Sequence, residues 1–249
     1  MQHLDQLYAL SKRNIIVRYK HSVIGFFWGF FKPLLYLLIF IVIFSSQFSS
    51  TSNQVLYITS GILFWFFFSN CTGQGTQSII QASGLIKSVY IPAIFFPLAE
   101  VIAELFNVLL ALVVYFIIMH WFGMVYSFHL LWVFPILLLF SLFCFSITLI
   151  LSALNVFYRD VGILWNTIQP ALFYLTPIAY TESLIPERFS FVIKANPIYY
   201  FIKLFRYPLY EATSPDFFLF GKCILITVIV FLIALFMFNR FKNQFITAI

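Results

Sequence analysis

The sequence predicts an all-α integral membrane protein: six transmembrane helices, an N-terminal interfacial amphipathic helix, and short outer re-entrant helices between spans five and six. Two observations carry this. Of the 249 residues, 63% are hydrophobic and only 9% are charged, whereas soluble domains carry about 25% charged residues. A water-facing surface cannot be built from so little charge, so lipid is the bulk solvent. The apolar residues also come in near-continuous runs such as 224–238. Such runs suit spanning helices of about 20 residues and not the short alternating strands of a barrel.

Taken in order, residues 3–22 read as a helix lying in the membrane interface. Leu4, Leu7, Tyr8, Ile15 and Tyr19 share one side, and Arg13 and Lys20 the other. The first span covers 27–48, interrupted near its inner end by Lys32 and Pro33. Helix from Pro33 to Phe44 rises only about 18 Å, less than a hydrocarbon core of about 30 Å. Residues before Lys32 must therefore contribute, and Lys32 must snorkel or face protein. The second span, 55–80, is rich in Gly, Thr, Ser and Gln from Asn70 onward, so that half packs on protein or lines water. The third span is 97–121, opened by Pro97. A tight outer turn leads to the fourth, 129–157, and Tyr158-Arg159-Asp160 forms a charged inner turn. The fifth span, 161–180, contains Pro170 and Pro177; the sixth is 218–238, followed by a short basic tail.

Lysine and arginine set the orientation. Placing both termini in the cytoplasm puts Lys12, Arg13, Arg18, Lys20, Lys87, Arg159, Arg240 and Lys242 inside, and leaves the short outer loops 49–54 and 122–128 without a cation; the exception is 181–217, where Arg188, Lys194, Lys203 and Arg206 are balanced by Glu182, Glu187, Glu211 and Asp216. The net charge of +6 thus serves orientation, and no nucleic-acid partner is implied. Trp28, Trp121, Trp132 and Trp165 fall near span ends, as an interfacial aromatic belt requires. Cys71, Cys144 and Cys223 lie in apolar stretches without CxxC spacing, so they read as packing residues and not as a disulfide framework or zinc site. There is no cleavable signal and no convincing internal repeat, and 1–249 reads as a single membrane domain.

Nothing in the sequence resembles a catalytic apparatus. Phosphate-loop spacing is missing around Gly221-Lys222-Cys223, and His3, His21, His120 and His129 sit near span ends without metal-ligand spacing. A chain of this kind moves a molecule and does not transform one. Gly73-x-Gly75 reads as close packing; Gly25 and Gly29 read as a helix-contact face. The inner connection 82–92 carries Leu85, Ile86, Val89 and Tyr90 on one side of a short helix, a pattern that fits a groove on a soluble partner or the membrane surface. Glu100 and Glu104, one turn apart, suggest a structural or gating ion pair, with Lys32 or Arg159 as partners. The segment 181–217 holds a turn at Asn196-Pro197. A helix follows whose apolar side is Ile198, Phe201, Ile202 and Phe205, and whose other side carries Lys203 and Arg206; it is placed as an outer gate. The 35 phenylalanines exceed what a lipid-facing surface needs. An aromatic-lined path is one use for the excess, with Tyr36, Phe40, Phe44, Trp165 and Tyr174 as candidates beside Lys32.

Several stretches in order then resemble one family. They are Arg18-Tyr19-Lys20-His21-Ser22 with Gly25 and Trp28; Lys32-Pro33; Tyr57 through Gly61 with Trp65; Ser83 through Pro92 with Pro97; Asn155-Val156-Phe157-Tyr158-Arg159-Asp160-Val161; Thr176-Pro177-Ile178; and Asn196-Pro197 with Arg206. Together they are similar to the membrane (permease) subunits of bacterial type-2 ABC exporters for lipid-linked polysaccharides such as O-antigen, capsule or teichoic acid. Ala93-Ile94 departs from that pattern, which often has a basic residue after the proline.

The resemblance implies a homodimer in the bacterial inner membrane, with two copies of a separate ATPase that bind the ATP and Mg; no cofactor is bound by this chain. It implies that 82–92 is a coupling helix, with Leu85, Ile86, Lys87, Val89, Tyr90 and Pro92, joined by Arg159 and Asp160, facing the ATPase. It implies that two copies of the first and fifth spans part to pass the glycan. Three other readings compete. An exporter of drugs or small lipids would lack the Asn155–Val161 stretch. An intramembrane acyltransferase needs a buried His or Asp constellation. A proton-coupled transporter would show internal symmetry.

Overall fold

The computed structural model describes residues 2–20, 31, 34–36, 38, 39, 42, 53–89, 91–124, 126–180, 182 and 185–248. Among these the chain is almost wholly helical. Helix α1 (Gln2–Tyr19) is followed by α2 (Asn53–Gln81), the short α3 (Ser83–Ser88), α4 (Phe95–Trp121), α5 (Val133–Phe157, entered through a 3-10 turn at Phe128–Trp132) and α6 (Asp160–Leu175). After α6 come α7 (Ser190–Ala195), α8 (Pro197–Arg206, continued by a π turn to Glu211), α9 (Phe217–Phe241) and α10 (Phe245–Ala248).

Among the described residues, four helical segments are long and apolar enough to cross a membrane: Gln54–Gln81, Phe95–Trp121, Phe128–Phe157 and Phe217–Gln244. They coincide with the second, third, fourth and sixth predicted spans. Most of the first predicted span, 27–48, lies outside the described residues; those described between 31 and 42 are helical. The fifth differs from expectation. Its helix stops at Leu175 instead of running to Tyr180. At 16 residues it rises about 24 Å. Pro177 is the cause: the residue before a proline is driven out of the helical region, and Thr176 adopts φ −100°, ψ 128°.

Helix α2 is the axis of the bundle, packed against α4 on one side and α5 on another. Small residues let it approach its neighbours. A Cβ at Gly75 would overlap the Thr148 side chain of α5, and Thr148 Oγ1 donates to the Cys71 carbonyl at 3.3 Å. The phenylalanines that exceed a lipid-facing need are largely internal. Phe64 of α2 stacks on Phe205 of α8, ring centroids 3.3 Å apart, and Phe140 and Phe143 of α5 lie 4.9 and 4.8 Å from Phe201 of α8. The apolar side predicted for 198–207 is therefore buried in protein. Asn196 caps α8 through its side chain, which accepts from the Ile198 N–H.

Helix α1 lies across the start of α4. Leu7 and Leu10 join Ala82, Phe96 and Ala99 in a second, smaller core, leaving Leu4 and Tyr8 exposed. The apolar residues of α1 thus divide between protein and the outside, so they do not form one membrane-facing side. The buried cysteines are free thiols.

Candidate functional site

A cleft of about 230 Å³ opens between α2 and α6 near mid-height of the bundle. Its walls are aromatic (Tyr36, Trp65, Phe66, Phe173, Tyr174) and its polar groups are uncharged: Ser69, Asn166 and Gln169, with Pro170 beside them. Phe173 stands edge-on to Trp65 at 5.5 Å, and Tyr36 edge-on to Phe66 at 5.0 Å. Gln169 is buried and pins α6 to α2. Its Nε2 donates to the Ser69 carbonyl at 3.0 Å and to Thr72 Oγ1 at 2.9 Å, while its Oε1 accepts from Ser69 Oγ at 3.1 Å. Asn166 is exposed on the same wall. An amide in that position is costly against hydrocarbon, so this wall faces water, solute or another polypeptide. Rings alternating with amides and hydroxyls suit a ligand with apolar CH faces and a rim of hydroxyl groups.

Arg206 holds the bundle together at the end away from α1. It is 5% exposed. Its Nη1 donates to the Tyr57 hydroxyl at 2.7 Å and its Nη2 to the Ile178 carbonyl at 2.9 Å; the guanidinium carbon lies 3.5 Å from the Tyr57 ring centroid. That carbonyl belongs to the irregular chain after the Thr176-Pro177 break, so the guanidinium satisfies a group the helix no longer can. Gly61 makes room: a Cβ there would stand 3.0 Å from Ile178 Cγ2 and 3.1 Å from Arg206 Nη2. Burial pulls the guanidinium down to about 10, which leaves it charged at neutral pH. Nearby, Asn196 Nδ2 donates to Thr176 Oγ1 at 2.8 Å. Lys203 forms an exposed pair with Glu182 at 3.1 Å. Burial pulls the Lys203 ammonium down, but its hydrogen bonds to Glu182 and Tyr199 outweigh that and the net shift is upward.

At the opposite end α3 follows α2 directly. Leu85 and Ile86 turn inward against the small core with Leu10 and Phe96. Gly84, Lys87, Ser88 and Val89 are exposed, and Pro92 is half-buried. The neighbouring turn between α5 and α6 exposes Tyr158, Arg159 and Asp160. It is braced from below by Asn155, 1% exposed, whose Nδ2 donates to the Thr76 carbonyl and whose Oδ1 accepts from the Gly162 N–H, both at 3.0 Å. A second cavity of about 230 Å³ lies at this end among α1, α2 and α4, lined by Arg13, Asn14, Gln74, Ser78, Gln81 and Glu100 among others.

The family model described as ABC-2 type transporter matches residues 5–210. The chain belongs to the ABC-2 type transporter family. It is 31% identical over 196 residues to an O-antigen export system permease protein RfbA of Klebsiella pneumoniae, covering 78% of this chain and 76% of that one. A second RfbA of the same organism is 28% identical over 243 residues, 97% of this chain and 93% of the other. The capsule polysaccharide export inner-membrane protein BexB of Haemophilus influenzae is 22% identical over 241 residues, 94% and 90% of the two chains.

In this ABC-2 chain the predicted path residues are only partly brought together. Tyr36 and Tyr174 line the cleft. Trp165 does not; it packs edge-on to Phe68 at 6.1 Å, and Trp65 supplies the indole wall instead. Lys32, Phe40 and Phe44 lie outside the described residues, as does Tyr90 of the inner connection. Glu100 accepts from Asn14 Nδ2 at 2.8 Å, and the buried Glu104 from Asn70 at 3.4 Å and Asn107 at 3.2 Å. Both acids are thus bonded by amides; the proposed partner Lys32 is not described, and Arg159 is exposed. Lys203 and Arg206, predicted to share one polar side, separate: one faces out and one is buried. Ser69, Asn166 and Gln169 were not singled out. A signal existed: Asn166 and Gln169 stand three apart in a mostly apolar helix, opposite the polar residues Ser69 and Thr72 of α2.

Proposed function

We propose that this chain is the permease half of an ATP-driven exporter that carries a lipid-linked polysaccharide, an O-antigen or capsular glycan, across the bacterial inner membrane. The similarity to the O-antigen permeases over nearly the whole chain carries the reading, and the cleft of rings, amides and hydroxyls suits it chemically. In this reading there are six spans, the α1 end is cytoplasmic along with both termini, and the first predicted span and α6 of two copies face each other. Residues 82–92 and the Arg159-Asp160 turn meet an ATPase, two copies of which bind ATP and Mg. The chain then borrows its energy: closure of the ATPase dimer pushes on α3 and on the start of α6.

Co-reconstitution with a cognate ABC ATPase tests this. Proteoliposomes given a lipid-linked glycan should deliver the glycan to the far leaflet only with hydrolysable ATP. Transport of short lipids or drugs with no movement of the glycan would refute it.

A further inference from the structure

Gln169 is the point where α6 is fastened to α2 at the cleft, and its bonding is unusually complete. Thr72 Oγ1 gives its own proton to the Phe68 carbonyl at 2.8 Å, so it receives one from Gln169 Nε2. The other amide proton goes to the Ser69 carbonyl, and the amide oxygen takes the Ser69 hydroxyl proton. These polarities fix which way the amide points. The amide lies over Gly73; a Cβ there would stand in ordinary contact with it, at 3.5 Å. The next residue, Pro170, has no N–H, so the Asn166 carbonyl loses its helical donor, and a carbonyl at this depth needs another. The Asn166 side chain is exposed on the same wall. The cleft therefore presents a satisfied fastening beside an exposed amide, on a stretch of α6 where Pro170 removes one helical donor.

We propose that Gln169 is a substrate-contacting catch: with the cleft empty its amide bonds Ser69 and Thr72 and holds α6 on α2, and with a sugar in the cleft the same amide bonds sugar hydroxyls instead. A sugar hydroxyl both donates and accepts, so one can take the place of Ser69 Oγ at Oε1 and another that of Thr72 Oγ1 at Nε2, while the second Nε2 proton stays on the Ser69 carbonyl or passes to a further hydroxyl. Lipid chains and water-free apolar solutes offer no such exchange, and the catch stays shut against them. The inference rests on the polysaccharide reading above and adds to it the residue that senses the glycan.

The test uses the full chain with its ATPase in proteoliposomes. Two variants separate the two halves of the exchange. Ser69→Ala with Thr72→Val removes the side-chain partners on α2 and leaves the amide only its bond to the Ser69 carbonyl. Gln169→Met keeps the volume and removes the amide. Both should raise ATP hydrolysis in the absence of glycan. The double variant should keep clearly more export than Gln169→Met, which should lose export by about tenfold or more. Gln169→Glu, which keeps the bond from Ser69 Oγ but loses both donors, should follow Gln169→Met and stands in for it if that variant does not assemble. Wild-type export by an assembled Gln169→Met complex overturns the proposal, as does loss of export in the double variant with hydrolysis unchanged, which is what a packing role gives. If the wild-type complex moves no glycan, the polysaccharide reading fails; the glycan-free hydrolysis of the double variant still reports whether the catch exists.

Discussion

Arg206 shows how a single side chain is committed by its surroundings. Its planar fork reaches the Tyr57 hydroxyl and the Ile178 carbonyl together while lying on the Tyr57 ring. A lysine keeps the charge but carries its three donors on one compact ammonium at the end of a flexible stem, so it does not match two acceptors that the fork reaches from separate nitrogens. Arg206→Lys is expected to destabilise the protein by about 1.5–3 kcal/mol, read as an earlier thermal unfolding midpoint in detergent. Tyr57→Phe keeps the ring and removes one acceptor, and should cost about half as much. An unchanged midpoint for Arg206→Lys would mean that the fork is not what holds the Thr176–Ile178 break. The exposed Lys203–Glu182 pair stands in contrast: it is open to solvent and contributes little.

At the scale of elements, α6 is the informative one. It is short, it carries a proline, and polar contacts fasten it along its length: Asn155 below, Gln169 in the middle, and Arg206 on the chain just past its end. A helix held this way can shift when those contacts exchange partners, which a greasy interface does less discretely. Asn155→Ala leaves the Gly162 N–H without its acceptor and removes the second donor to the Thr76 carbonyl. It should loosen the first turn of α6, seen as faster amide exchange at 160–164 with the rest of the bundle protected. Protection unchanged there would remove Asn155 as the brace. Helix α3 makes the matching case at the end proposed to meet the ATPase. Leu85 and Ile86 are spent on the molecule's own core, so Val89, with Lys87 and Ser88, is what this connection offers a partner. Replacing Val89 and Tyr90 by Asp should uncouple transport from ATP while insertion is preserved. Glycan export at the normal rate would sink the coupling role of 82–92.

For the whole molecule, the exposed charged turn Tyr158-Arg159-Asp160 and the exposed part of α3 share one end of the bundle. Arg159→Ala should lower the amount of ATPase that co-purifies with this chain, with expression unchanged; equal co-purification would exclude Arg159 from the contact. Much of this architecture was legible beforehand. Four spans and the buried side of α8 follow from periodicity, because burial of an apolar face is a local, repeating constraint. The end of α6 was readable too, since Pro177 acts on the residue beside it, though the apolar run beyond it suggested a longer helix. The cleft was not. Trp65 and Trp165 look alike in sequence, and only the rotation of α2 and α6 about their axes decides which indole lines it.

The sequence by itself determined the solvent, the helical class, the family and the absence of phosphate-loop or metal-ligand spacing, because composition, run length and motif order are properties of the chain as a line. Tertiary structure decided which polar groups meet: that Arg206 turns inward onto Tyr57, that Leu85 turns away from the outside, and that Gln169 closes the cleft through Ser69 and Thr72. Those partners are separated by about a hundred residues or more in two of the three cases, and in a medium without water each polar group must find its partner within the fold.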